Sequence, residues 1–236
     1  MKILFSTVLV LLSLGSQPLE SQEQIDSDRA TEAGWVSLFD GKSFDGWRGY
    51  AQETMPSGWT IDEGAMCACD PGPGMDIVSI DTYTSFVFEV EWKVNNGSNS
   101  GIMWHVDETA GAYPWMTGPE YQILDDDAFD DGALGVNSAA SNYDVQAPWL
   151  DASTMAGDWQ TARIVVAGNH IEHWLNGIKV LEYEKGSEDW KVRVAESKWA
   201  NMASYASTTS GHIAFQGDHG IVWFKNLRIR ELGGSE

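Results

Sequence analysis

The sequence predicts an all-β chain folded as a sandwich of two packed antiparallel sheets. Three observations carry this. Phe86, Phe88, Val90, Trp92 and Val94 alternate with Val87, Glu89, Glu91 and Lys93, the period-2 signature of a strand with one buried face. Between Asp158 and Glu184, two turn signals, Gly168-Asn169 and Asn176-Gly177, separate strand-like runs, and Asn-Gly between apolar runs marks a hairpin. Helical periodicity is confined to a short possibility around Glu188–Ser204.

In chain order, the first residues read as an export signal. Lys2 precedes the apolar stretch Ile3–Leu14, and small and polar residues follow from Gly15. That stretch is shorter than the about 20 residues a membrane-spanning helix needs. A signal peptide is therefore expected over 1–21, a disordered acidic lead-in over 22–33 and one folded domain over 34–233. After the Phe86–Val94 run, "NNGSNS" (95–100) is a turn, and Ile102, Trp104 and Val106 then alternate with Met103 and His105. "GPEYQILDDD" (118–127) points Tyr121 and Ile123 one way and Glu120, Gln122 and Leu124 the other. Residues 125–157 are acidic, then small and polar, as expected of long loops. "GHIAFQGDHGIVWFKNLRIREL" (211–232) reads as two strands around a Gly217–Gly220 turn, with Ile213 and Phe215 inward and His212 and Gln216 outward.

If the apolar sets face the core, the outward sets include Glu89, Glu91, Lys93, Met103, His105, Glu120, Gln122, His212 and Gln216. Strands sharing one sheet would then present a face of carboxylates, amides and imidazoles suited to a sugar. The formal net charge of −21 makes phosphate backbones and anionic membrane surfaces poor partners, and it also serves solubility. Cys67 and Cys69, spaced C-x-C, are expected as two quiet or oxidisable thiols, because a bridge within one strand would be strained and no further zinc ligands stand at suitable spacing.

Several segments resemble the 3-keto-disaccharide hydrolase domain family. They are "WVSLFDGKSFDGWRGY" (35–50), "NSGIMWHVDE" (99–108), "YPWMTGPEYQILDDD" (113–127), "GNHIEHWLNGIKVLEYE" (168–184), "ESKWANM" (196–202) and the closing stretch 211–232. The match runs from about Trp35 to Leu232. It implies a concanavalin A-like jelly roll in an exported bacterial protein, periplasmic or secreted, that cleaves 3-keto-glycosides. A ketone at C3 acidifies the C2 hydrogen. A base removes it, the C1 substituent leaves by elimination, and water adds. This route needs no paired-carboxylate glycosidase geometry.

On that resemblance Glu120 and His219 are the catalytic candidates. Glu120 lies on an outward face, and His219 has an unperturbed pKa suited to proton transfer near neutrality. His105, Gln122, Asp125, Gln216 and the loop aromatic Trp115 are the substrate-binding candidates. His105 is a departure, because relatives carry Arg there. Each has a structural alternative: a solvated strand glutamate, a turn-stabilising histidine, a packing tryptophan. "EHWLNG" is read as mainly a tight turn. The aspartates of 125–131 offer oxygen ligands for Ca²⁺ but lack EF-hand spacing, so a solvated loop and no cofactor are expected. The expected partner is a carbohydrate substrate. The rival function is a non-catalytic, lectin-like carbohydrate-binding module, which the fold alone would equally allow.

Overall fold

The computed structural model describes residues 34–130 and 132–233; the expected signal and lead-in lie outside them. Among the described residues, thirteen strands and one α-helix, besides short 3-10 turns, follow in order: β1 Val36–Ser37, β2 Trp47–Gly49, β3 Trp59–Asp62, β4 Ala65–Ala68, β5 Ile77–Ser79, β6 Phe86–Val94, β7 Asn99–Val106, β8 Glu120–Leu124, β9 Gln160–Ala167, β10 His170–Leu175, β11 Ile178–Glu184, α1 Glu188–Glu196, β12 His212–Phe215 and β13 Val222–Glu231. They form two antiparallel sheets. One has eight strands, ordered β11-β10-β9-β6-β13-β4-β3 with β1 beside β13; the other has five, ordered β2-β5-β12-β7-β8.

The alternation read from the sequence is what joins the sheets. Phe86, Phe88, Val90 and Trp92 from β6 pack against Ile102, Trp104, Tyr121, Ile123, Ile213 and Phe215 from the smaller sheet. Phe215 of β12 stacks on Phe224 of β13, ring centroids 4.1 Å apart, across the two layers. At the β10–β11 turn Asn176 and Gly177 both have positive φ, 51° and 79°, as a two-residue hairpin of matching twist requires. The helix starts where Ser187 Oγ accepts from the Trp190 N–H, a capping bond. Among the described residues, no helix is long and apolar enough to cross a membrane.

Two sequence expectations change here. Glu89, Glu91 and Lys93 do face outward, but from β6 in the eight-stranded sheet, on the opposite side of the sandwich from Glu120. Cys67 and Cys69 are bonded to each other. The bridge closes because Cys69 lies past the end of β4, so the two residues do not share a regular strand. The Gly217–Gly220 turn lies between β12 and β13, as expected, and carries the chain from one sheet to the other.

Candidate active site

The outer face of the five-stranded sheet is assembled by cross-strand register. Glu120 pairs with Met103, Met103 with Ala214, Ala214 with Val78, and Val78 with Arg48. In the adjacent row Gln122 pairs with Gly101, and the Gln216 N–H donates to the Gly101 carbonyl. Asp76, just before β5, continues that row; its Oδ1 accepts from the Gly217 N–H at 3.1 Å. The row thus runs Gln122, Gly101, Gln216 and Asp76, polar everywhere but at the glycine.

Gly101 is the sequence feature that makes room. A Cβ there would overlap the Glu120 carboxyl, which leans from β8 over the bare backbone of β7. From Gly101 to Asp76 is two strand spacings, roughly 10 Å.

Electrostatics separate these acids. Glu120 is buried and makes no ion pair among the described residues. Loss of hydration lifts its pKa to about 8; Lys198 opposes this, and the negative charges of Asp76 and Asp218 add to it. Burial also raises Asp76, to about 6, against the stabilising bond from Gly217. Gln122 Nε2, with its amide turned to satisfy its neighbours, donates to Glu120 Oε1 at 3.3 Å and to the Ser100 carbonyl at 3.1 Å.

The site's cation is Lys198. Its Nζ lies 4.0 Å from the ring centre of Tyr143, 4.3 Å from Trp199 and 5.8 Å from Trp115, although the residue keeps a solvent-exposed flank. Desolvation holds its pKa below the usual lysine value, while Glu120 and Asp144 pull it back up. Trp115 stacks on Tyr113 at 5.5 Å, nearly parallel, and forms an aromatic rim. Neither Lys198 nor Asp76 was singled out from the sequence. Lys198 sits within the matched "ESKWANM" segment, but nothing local tells that a loop beyond α1 returns to β8.

The other expected residues divide. Gln122 and Gln216 join Glu120 on this face. His219 stands at the rim, exposed, with Nδ1 against the Asp218 carboxylate, and its charge reaches Asp76. His105 does not reach the face. Its φ of 54° forms a bulge that turns the ring inward, where it is buried with Nε2 2.8 Å from the Thr84 carbonyl and its edge toward Phe86. The bulge shifts the β7–β12 register, which simple alternation could not anticipate. Asp125 is also elsewhere. Its buried carboxylate accepts from the Gly97 N–H at 2.8 Å and closes the β6–β7 turn.

Asp125 lines a separate cavity of about 260 Å³ with Asp126, Asp127 and Asp151. These side chains hold loop backbone: Asp126 accepts from the Ala139 N–H and Asp151 from the Ser153 N–H. Among the described residues, two groups bring potential metal-ligating atoms together. In His170–Glu172–Glu182 the Lys179 ammonium already bridges both carboxylates, and in Asp62–Cys67–Cys69 the sulfurs are spent in their bond. Neither faces the Glu120 site.

Comparison with known proteins agrees with this assembly. A curated 3-keto-disaccharide hydrolase from Bacteroides thetaiotaomicron is 32% identical, aligned over 93% of this chain and 84% of its own. A crystal structure from Parabacteroides distasonis, described as a candidate glycosyl hydrolase, is 32% identical with a TM-score of 0.77, covering 91% of this chain and 98% of that one. A second from the same organism, at 24% identity and a TM-score of 0.64 over 84% and 99% of the two chains, shares the fold. The family profile matches residues 34–230, a span that includes Glu120, Gly101, Asp76 and Lys198, and the chain belongs to the 3-keto-alpha-glucoside-1,2-lyase-like domain family.

Proposed function

We propose that the protein is a carbohydrate-cleaving hydrolase acting on 3-keto-glycosides by elimination and hydration, with Glu120 and Asp76 as a one-proton carboxyl pair. The observation that carries this reading is a row of one sheet face holding two buried carboxyl groups, Glu120 folded over Gly101 and Asp76 farther along, whose pKa values lie on opposite sides of neutrality. Pairs of acids pushed apart by their surroundings are how one site holds both a base and an acid.

At neutral pH Asp76 is ionised and Glu120 protonated. Asp76 accepts the C2 proton, and the electron pair spreads onto the C3 oxygen as an enolate. As the C1–O bond breaks, the departing oxygen takes the proton of Glu120. Water then adds to C1, giving a proton to Glu120, while Asp76 returns its own to C2. The pair ends as it began, and the net reaction is hydrolysis. Lys198 supplies positive charge for the enolate oxygen, a stabilisation that counts for more at a half-desolvated site than in water. Gln122 and Gln216 orient the ring, Trp115 borders it, and His219 holds Asp218 at the rim.

The test compares a 3-keto-glucoside carrying a chromogenic leaving group with its unoxidised counterpart. Release from the keto compound alone is expected. Release from both would overturn the C2-acidity route. Saturable glycan binding with release from neither would make the protein a lectin-like module, for which the exposed Tyr113, stacked on the half-buried Trp115, would serve as a platform. Export is part of the same proposal: N-terminal sequencing of secreted or periplasmic protein should begin near Gln22, and a retained Met1 would refute it.

A further inference from the structure

β8 is an edge strand, so the backbone groups along its outer side need partners from outside the sheet. A stretch of the following loop supplies them. The Ala140 N–H donates to the Gln122 carbonyl at 2.8 Å, the Gln122 N–H to the Ser141 carbonyl at 3.2 Å, and the Tyr143 N–H to the Glu120 carbonyl at 3.1 Å. The backbone at 140–143 is thereby pinned to the strand that carries Glu120.

Asp144 comes next. Its φ of 60° lies in the left-handed region, which aspartate and asparagine enter more readily than most residues with a side chain. Here the pairing with β8 stops, and the Asp144 N–H donates to the Val136 carbonyl at 2.9 Å. The Asp144 carboxylate reaches the loop after α1, where Oδ2 accepts from the Lys198 N–H at 2.6 Å. Two consecutive residues therefore grip Lys198 at both ends: Asp144 at the main-chain nitrogen, and the Tyr143 ring at the ammonium, 4.0 Å from its centre. Trp199 adds a third tie, its Nε1 donating to the Tyr143 carbonyl at 3.3 Å.

Two hydrogen bonds and one peptide link thus connect Glu120 to Lys198, residues that are 78 positions apart in the chain. The charges converge on the same place. Glu120 is faced by Lys198 from the loop after α1, by Asp76 from just before β5 and by Asp218 from the β12–β13 turn. Lys198 is held down by its own desolvation and pulled back up by Glu120 and Asp144. The buried Tyr205 hydroxyl is raised by desolvation first, and then by the charges of the same two acids.

We infer that Asp144 is a positioning residue for the reaction, fixing the backbone of Lys198 so that its ammonium stands beside the Glu120 carboxyl. This rests on the reading of the face as a 3-keto-glycoside site, and two readouts keep the two failures apart. Asp144→Asn keeps an acceptor oxygen and tolerates the left-handed turn, whereas Asp144→Gly keeps the turn and drops the acceptor. On the chromogenic 3-keto-glucoside, Asp144→Gly should lower kcat by about tenfold or more and change KM by no more than about twofold. Asp144→Asn should stay within about threefold of wild type in kcat. Independently of turnover, ¹³C NMR of the glutamate carboxyl carbons follows the Glu120 proton, its signal assigned through Glu120→Gln. A displaced Lys198 no longer opposes protonation, so the Glu120 midpoint should rise by about half a pH unit or more in Asp144→Gly and stay in place in Asp144→Asn. A general loosening of the fold would not give a shift that asparagine rescues. Unchanged kcat in Asp144→Gly, an unmoved midpoint there, or an Asp144→Asn as impaired as Asp144→Gly would each overturn the positioning role and leave the chemistry standing. If wild type releases nothing from the keto compound, the chemistry fails and the midpoints alone decide. A rise in Asp144→Gly that is absent in Asp144→Asn upholds the positioning of Lys198, and any other pattern overturns it.

Discussion

Glu89 and Glu120 are both strand glutamates, 7% and 5% exposed, on opposite outer faces of the same sandwich. Glu89 lies between two arginines: Arg163 Nε donates to one oxygen at 2.6 Å and Arg228 Nε to the other at 2.7 Å. Glu120 has a glutamine amide, a glycine backbone and a lysine too distant to pair with. Equal burial therefore means different things. A carboxylate buried with its counterions is a fastener between β6, β9 and β13. One buried without them is held protonated, which favours proton transfer and costs stability.

The largest effect that sharpens this contrast is on turnover. Glu120→Gln should lower kcat on the chromogenic 3-keto-glucoside by a thousandfold or more, an estimate for removing an acid used in both half-reactions. Glu89→Gln should leave kcat within about twofold, since it touches no part of the site. Full activity in Glu120→Gln would end its assignment.

Next comes pH. With Asp76 near 6 and Glu120 near 8, kcat/KM should follow a bell, rising as Asp76 loses its proton and falling as Glu120 loses its own. Each limb should change about tenfold per pH unit outside that window. A profile flat from pH 5 to 9 would mean that the pair does not share the work.

The smallest effects are on folding, and their signs differ. Glu120 has a raised folded pKa, so the folded state binds more protons than the unfolded chain and stability falls as pH rises from about 4.5 to about 8. Glu120→Gln removes that penalty. It should match wild type near pH 4 and exceed it above pH 8 by on the order of a few kcal/mol. Glu89→Gln should instead cost about 2 kcal/mol at neutral pH, because it leaves two half-exposed arginines without their carboxylate. Chemical denaturation of both variants at pH 5 and pH 8 checks this. A destabilised Glu120→Gln at pH 8 would break the comparison.

How much of this was legible depends on the range of the interaction. Period-2 alternation placed Glu120 and Gln122 outward and Tyr121 inward, because a pleated strand leaves no other choice. The same rule misplaced His105, since one residue in the left-handed region inserts a bulge and reverses everything after it. It also could not separate the Glu89 face from the Glu120 face; both are outward sets, and only strand order assigns them to different sheets. Asp125 was drawn into the site by its proximity to Glu120 in the chain, yet its carboxylate turns to the Gly97 N–H. Lys198 and Asp76 lie 78 and 44 residues from Glu120, and no local pattern marks either.

The sequence by itself determined the sandwich, the hairpin at Asn176-Gly177, the inward aromatic rows and the family's motif order. All of these follow from backbone geometry and from hydrophobic burial acting over a few residues. Only the tertiary structure decided which acids meet. Glu120, Asp76 and Lys198 acquire their chemistry from desolvation and from one another's charges. Those quantities depend on three-dimensional distance, which is set only when Gly101 leaves room for the Glu120 carboxyl over β7 and the loop after α1 brings an ammonium back toward it.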